Sequence, residues 1–156
     1  MKVVDFLAPD AVLPALRGAS KSEVLAELAT FMASRPAWPT TLDAQTLYRV
    51  LEEREQQTTT AIGDGLAIPH GKLDSVERLI GALGRSVPGL EFASLDGQPT
   101  HLVFLLVAPA NSAGDHLQAL ARLSRLFRDP DFRQRLLVAP DGDTMYRTIA
   151  EEDAKL

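Results

Sequence analysis

Thr60-Ala61-Ile62-Gly63-Asp64-Gly65-Leu66-Ala67-Ile68-Pro69-His70-Gly71 is the stretch that decides how this chain folds. Two short arms rich in apolar and β-branched residues flank Asp64-Gly65. That pairing predicts a β-hairpin, because a type I′ turn demands positive φ at both central residues. Pro69 holds Ile68 extended and sets the entry of His70, which the pattern places at the end of a hairpin strand. Gly71 leaves the space beside His70 free of a side chain. A histidine between a proline and a glycine is rigidly positioned and sterically open, which suits a reactive group.

Upstream, Ser20-Lys21-Ser22-Glu23 has the form of a capping box. Val24, Leu25, Leu28, Phe31 and Met32 then recur at three- and four-residue spacing, a core-facing helical stripe that Pro36 and Pro39 end. A second helix opens at Asp43, turns Leu47, Val50 and Leu51 inward, and runs out through Glu52-Glu53-Arg54-Glu55. Downstream, residues 79–87 read as a strand, followed by a loop-rich stretch around Phe92 and Leu95-Asp96-Gly97. Residues 102–107 are apolar at every position, as in a central strand covered on both faces. Asp115 is expected to cap a helix beginning at His116, with Leu117, Leu120, Ala121, Ser124 and Phe127 on its inner face. Asp129-Pro130 starts a short helix over residues 132–138, and Asp143 caps a last one that ends in a polar tail over residues 151–156. The prediction is an α/β fold, a single-domain sandwich over residues 1–156 with helices packed on a central mixed β-sheet.

Composition removes several kinds of function. The chain of 156 residues carries 16 basic against 21 acidic side chains, a net charge of −5, which argues against duplex nucleic acid as the main partner. The absence of cysteine removes disulfides, thiol nucleophiles and Cys-containing metal clusters together. The longest apolar run, residues 102–108, is far short of the ~20 residues a helix needs to insert in a membrane. The N-terminus has an acid at Asp5 and no long apolar stretch after it, so it is not a secretory signal, and a cytoplasmic protein is expected.

Imidazole chemistry is therefore limited to His70, His101 and His116. At cellular pH a neutral imidazole has a free lone pair and acts as base, ligand or nucleophile. His116 lies at a helix start, where the dipole and free N–H groups favour a negative ligand and a neutral imidazole; the alternative is an exposed helix-start residue. His101, just ahead of the central strand, is expected to be structural. No two histidines have the short spacing of metal motifs, so neither a metal nor a cofactor is expected. Arg54 is either part of a solvated charged turn or a guanidinium aimed at an oxyanion. The arginines at 122, 125, 128, 133 and 135 read as a solvated face.

Arg54-Glu55 followed by residues 60–71 resembles the active-site region of enzyme IIA of the bacterial phosphotransferase system, in its fructose/mannitol/nitrogen-regulatory class. The run Ile68-Pro69-His70-Gly71 behind Ile62-Gly63-Asp64-Gly65 is specific, and the likeness extends to the strand ending in Val107-Ala108-Pro109 and to His116-Leu117. The resemblance implies that His70 accepts a phosphoryl group from HPr or a nitrogen-branch homologue. It implies that Arg54 and His116 line the site, and that Thr60 either positions it or merely fills a strand. A regulatory phosphohistidine carrier is the reading it favours, with a regulatory target or a IIB protein downstream. Beside it stand a sugar-specific IIA subunit, a binding regulator that needs no phosphorylation, and a three-histidine metal hydrolase lacking an evident general base. Asp64 replaces a common asparagine, and near His70 its charge would oppose phosphorylation.

Overall fold

The computed structural model describes residues 1–35 and 42–156, so the helix stop assigned to Pro36 and Pro39 lies outside the described residues. A one-turn 3-10 helix over Val3–Asp5 leads into β1 (Leu7–Leu13), followed by α1 (Lys21–Ala33) and α2 (Ala44–Gln57). The short strands β2 (Ala61–Gly63), β3 (Leu66–Ala67) and β4 (His70–Leu73) precede two long ones, β5 (Ile80–Leu90) and β6 (Thr100–Pro109). The helices α3 (Ala113–Leu126), α4 (Pro130–Val138) and α5 (Gly142–Asp153) complete the chain.

The sheet is mixed, in the order β1-β5-β6-β3-β2, with β4 also paired to β6. β6 is its axis. Residues 102 to 108 of β6 are each at most 1% exposed, as a strand covered on both faces must be. β5 runs antiparallel along one edge of β6. β3 pairs Leu66 and Ala67 with Leu102 and Val103, and β4 continues with His70 opposite Leu106, both parallel to β6. His70 therefore begins a strand of its own and does not end the hairpin arm, a correction to the expected placement. The cause is Ile68-Pro69: a proline cannot donate to the ladder, so the strand is interrupted there and resumes at His70. The hairpin itself is as expected, with Asp64 and Gly65 at φ 57° and 76°.

Four further differences are local. β1 was not foreseen, because Ala8-Pro9-Asp10 breaks its apolar alternation and its register with β5 is irregular between Leu7 and Val12. The third long helix starts at Ala113, so Asp115 sits in its first turn and Ser112 occupies the cap position. Its buried face is His116, Ala119, Leu123 and Leu126, while Leu117 is 67% exposed. Of the expected stripe, Phe127 is buried and Leu120 packs against the core, but Leu117, Ala121 and Ser124 face outward and His116 turns inward in place of Leu117. The last helix is capped by Asp141, whose carboxylate accepts from the Thr144 amide at 2.7 Å, with Asp143 in the first turn. The capping box at Ser20 is half formed: Ser20 accepts from Glu23 N, but the Glu23 carboxylate reaches past it to Ala19 N.

Three arginines of the supposed solvated face are structural ties. Arg122 Nε donates to Asp153 Oδ1 at 2.8 Å, and the other Asp153 oxygen accepts from Val3 N at 2.6 Å, joining both ends of the chain. Arg133 donates to the Phe127 and Arg128 carbonyls, and Arg135 pairs with Glu152. Arg125 and Arg128 remain exposed. No helix among the described residues is long and apolar enough to cross a membrane.

Candidate active site

His70 is placed by backbone before it is placed by side chains. Pro69 O accepts from Leu106 N at 3.0 Å on one side, and Ile68 N donates to Thr60 O at 3.0 Å on the other. Between these anchors the Ile68 carbonyl faces His70 Nδ1 at 2.8 Å. A carbonyl only accepts, so this contact requires the proton on Nδ1 and leaves the lone pair on Nε2. The half-buried ring is thereby a nucleophile or base through one defined atom.

His116 enters from the first turn of α3. Its ring lies edge-on to that of His70, with centroids 5.0 Å apart at 77°. The residue is buried, and its Nε2 has no hydrogen-bond partner among the described residues. Burial is the main cause that pushes its pKa down to about 4, with His70, Lys72 and Arg54 adding to it. The His70 pKa is also lowered, by burial first; the Ile68 hydrogen bond opposes that shift and Arg54 reinforces it. Both rings are neutral at neutral pH. His70 keeps a lone pair on Nε2, while the Nε2 of His116 is buried and unpartnered.

A cavity of about 640 Å³ opens in front of the two rings, lined by Val50, Glu53, Arg54, Gln57, His70, Gly71, Lys72 and His116. Arg54, in the last turn of α2, donates through Nη1 to Thr58 O at 2.9 Å. That bond steadies the guanidinium over the cavity while its other N–H groups stay available. Lys72 is two residues beyond His70 in β4, hence on the same face of the sheet. Two cations and two neutral imidazoles against one carboxylate, Glu53, give the cavity the chemistry to hold a small anion.

Four of the five expected residues, His70, His116, Arg54 and Gly71, thus share one cavity. Thr60 is buried behind it and does not line it; its hydroxyl donates to Glu55 Oε1 at 2.6 Å. Gly71 is required for a reason other than the one expected from sequence. A Cβ there would meet Val50 Cγ1 at 2.6 Å, so glycine allows α2 to approach β4 closely and does not serve to open space beside His70. His101 is apart from the site, its Nδ1 bonded to Ser86 O at 3.0 Å. Asp64 is also outside the cavity and faces Arg133 at 3.9 Å. Among the described residues no cluster of three His, Cys, Asp or Glu side chains could hold a metal.

Two residues were missed. Lys72 was legible from the two-residue repeat of a strand starting at His70. Glu55 continues the Leu47-Leu51 spacing of the buried face of α2, the one signal that separated it from Glu52 and Glu53. It is 7% exposed, accepts from Thr60 N and Oγ1, and pairs with Lys21 at 2.9 Å.

Comparison with known proteins shows the family. The family model described as phosphoenolpyruvate-dependent sugar phosphotransferase system, EIIA 2, matches residues 5–152. A nitrogen regulatory protein of Bradyrhizobium diazoefficiens is 43% identical over 150 residues, 96% of this chain and 95% of that one. The fructose-specific EIIABC component of Bacillus subtilis is 35% identical over 153 residues, covering 98% of this chain but 24% of the relative. The crystal structure of the nitrogen regulatory protein IIA-Ntr of Neisseria meningitidis superposes with a TM-score of 0.85 at 26% identity, over 94% of this chain and 98% of that one. On this match over nearly the whole chain, the protein belongs to the EIIA 2 family of the phosphoenolpyruvate-dependent sugar phosphotransferase system.

Proposed function

We propose that this chain is a regulatory phosphohistidine carrier that takes a phosphoryl group on His70 Nε2 and passes it on. The observation that carries the proposal is the Nδ1 contact to the Ile68 carbonyl, which leaves one lone pair directed away from the backbone. The donor is a phosphohistidine on HPr or a nitrogen-branch homologue. The His70 Nε2 lone pair attacks phosphorus, the donor N–P bond breaks, and the donor imidazole leaves with its electron pair. A loose phosphoryl transition state needs little beyond alignment and charge balance. Arg54 and Lys72 supply the charge, and His116 donates a hydrogen bond from its unpartnered nitrogen to a phosphoryl oxygen.

The near full-length likeness to a nitrogen regulatory protein supports a regulatory role, with a target protein reading the phosphorylation state. The likeness to one segment of a fructose-specific EIIABC component supports a second reading, in which His70 hands phosphate to a separate IIB protein. In either, residues 1–156 act as one EIIA domain, working in the cytoplasm and without a cofactor.

Intact-mass measurement after incubation with phosphoenolpyruvate, enzyme I and HPr or its homologue tests the proposal. One acid-labile phosphoryl group is expected, absent in His70→Ala. Arg54→Ala and His116→Ala are each expected to slow transfer by roughly 10²-fold, the scale of removing one transition-state hydrogen-bond donor, with little change in melting temperature. No phosphoryl gain with any cognate donor would leave a binding-only regulator.

A further inference from the structure

Glu55 is a buried carboxylate that the chemistry above does not use. Placing a glutamate at 7% exposure is unfavourable unless its oxygens are fully paired, and here they are. Oε1 accepts from Thr60 Oγ1 at 2.6 Å, and Oε2 accepts from Thr60 N and from Lys21 Nζ, each at 2.9 Å. Lys21 also lies over the Phe92 ring, 4.8 Å from its centroid, which holds the pair in place. Both bonds to Thr60 fix the residue that opens the hairpin.

From Thr60 the connection to His70 is continuous. The Thr60 carbonyl accepts from Ile68 N at 3.0 Å, and the Ile68 carbonyl accepts from His70 Nδ1 at 2.8 Å. Pro69 has no N–H, so nothing in the ladder holds its amide nitrogen. On the β6 side the segment is held by backbone alone, through Leu106 N to Pro69 O. On the other side its direction depends on Thr60, whose own N–H and hydroxyl are both bound by one side chain, Glu55. We propose that Glu55 is a positioning residue for His70, acting through Thr60 and the Ile68 peptide to present the imidazole as the Nδ1–H tautomer with Nε2 facing the cavity.

The functional consequence rests on the phosphocarrier reading, but the tautomer does not. The test is long-range 1H–15N NMR of the His70 ring in the unphosphorylated protein, with single-turnover phosphoryl transfer measured in parallel. The proteins are wild type, Glu55→Gln, Glu55→Ala, Thr60→Val and, as a stability control, Asp153→Asn, which weakens the tie between the chain ends. Wild type is expected to hold the Nδ1–H tautomer. Glu55→Ala and Thr60→Val are expected to mix the tautomers and slow transfer roughly tenfold or more, as small misplacements of reacting groups do. Glu55→Gln, which keeps an acceptor for the Thr60 amide, is expected to recover most of both. Asp153→Asn is expected to lower the melting temperature and leave the tautomer unchanged. If Glu55→Ala does not fold, Thr60→Val and Glu55→Gln decide through the same signal. A pure Nδ1–H tautomer in a folded Glu55→Ala or Thr60→Val protein overturns the proposal, as does an equal shift in Asp153→Asn. Failure of wild type to accept a phosphoryl group counts against the phosphocarrier reading alone, since the NMR signal still reports the positioning.

Discussion

His70 and His116 meet at the cavity, but different contacts set the state of each ring. In His70 the Nδ1–H donates to the Ile68 carbonyl and Nε2 keeps its lone pair. In His116 burial keeps the ring neutral, and Nε2 is unpartnered. The neutrality of His116 has a consequence for stability. Its pKa is about 4 in the folded protein against 6.5 for an unperturbed histidine, so between those values the unfolded chain binds the extra proton. The stabilisation is complete above pH 6.5 and is lost as pH falls towards 4, by on the order of 3 kcal/mol. Urea denaturation from pH 7.5 to 4 is expected to show this loss in wild type and a flatter profile in His116→Gln. Equal slopes would mean that His116 is already solvated in the native state.

Elements show where the sequence was legible and where it was not. The helical stripes of α1 and α2 and the uniform apolar run of β6 were plain, since periodicity and burial agree in each. So was the Asp64-Gly65 turn, because its positive φ values restrict the residues that fit. The strand β1 was hidden by Pro9 and Asp10, and the inner face of α3 was misjudged because a histidine, His116, occupies an apolar position. That is the place where a rule based on apolar spacing should fail. The contact between α2 and β4 was equally invisible, being a close approach of Val50 to a residue with no side chain. Gly71→Ala would force a Cβ to within 2.6 Å of Val50 Cγ1. A loss of about 1–3 kcal/mol is expected, the usual range for overpacking. Adding Val50→Ala removes that carbon and leaves Val50 Cβ at 3.8 Å, an ordinary contact, so the double variant is expected to regain much of the loss. Additive losses in chemical denaturation would place the strain elsewhere.

At the scale of the whole molecule, β6 carries β3 and β4 on one edge and β5 on the other, and so connects the hairpin to the rest of the core. Asp153, fully buried, receives both Val3 N and the Arg122 guanidinium, tying the first turn of the chain to the last helix. The cavity between α2, β4 and α3 brings His70 and His116 together with the cations Arg54 and Lys72. Of the three histidines, His70 and His116 pack ring against ring at the cavity, and His101 braces β6 against Ser86. The most direct test of this arrangement is 31P and 15N NMR of the protein phosphorylated by its cognate donor. One phosphorus signal coupled to His70 Nε2, with the Nδ1 proton retained, is the expected result; phosphorus on Nδ1, on another residue, or nowhere would contradict it.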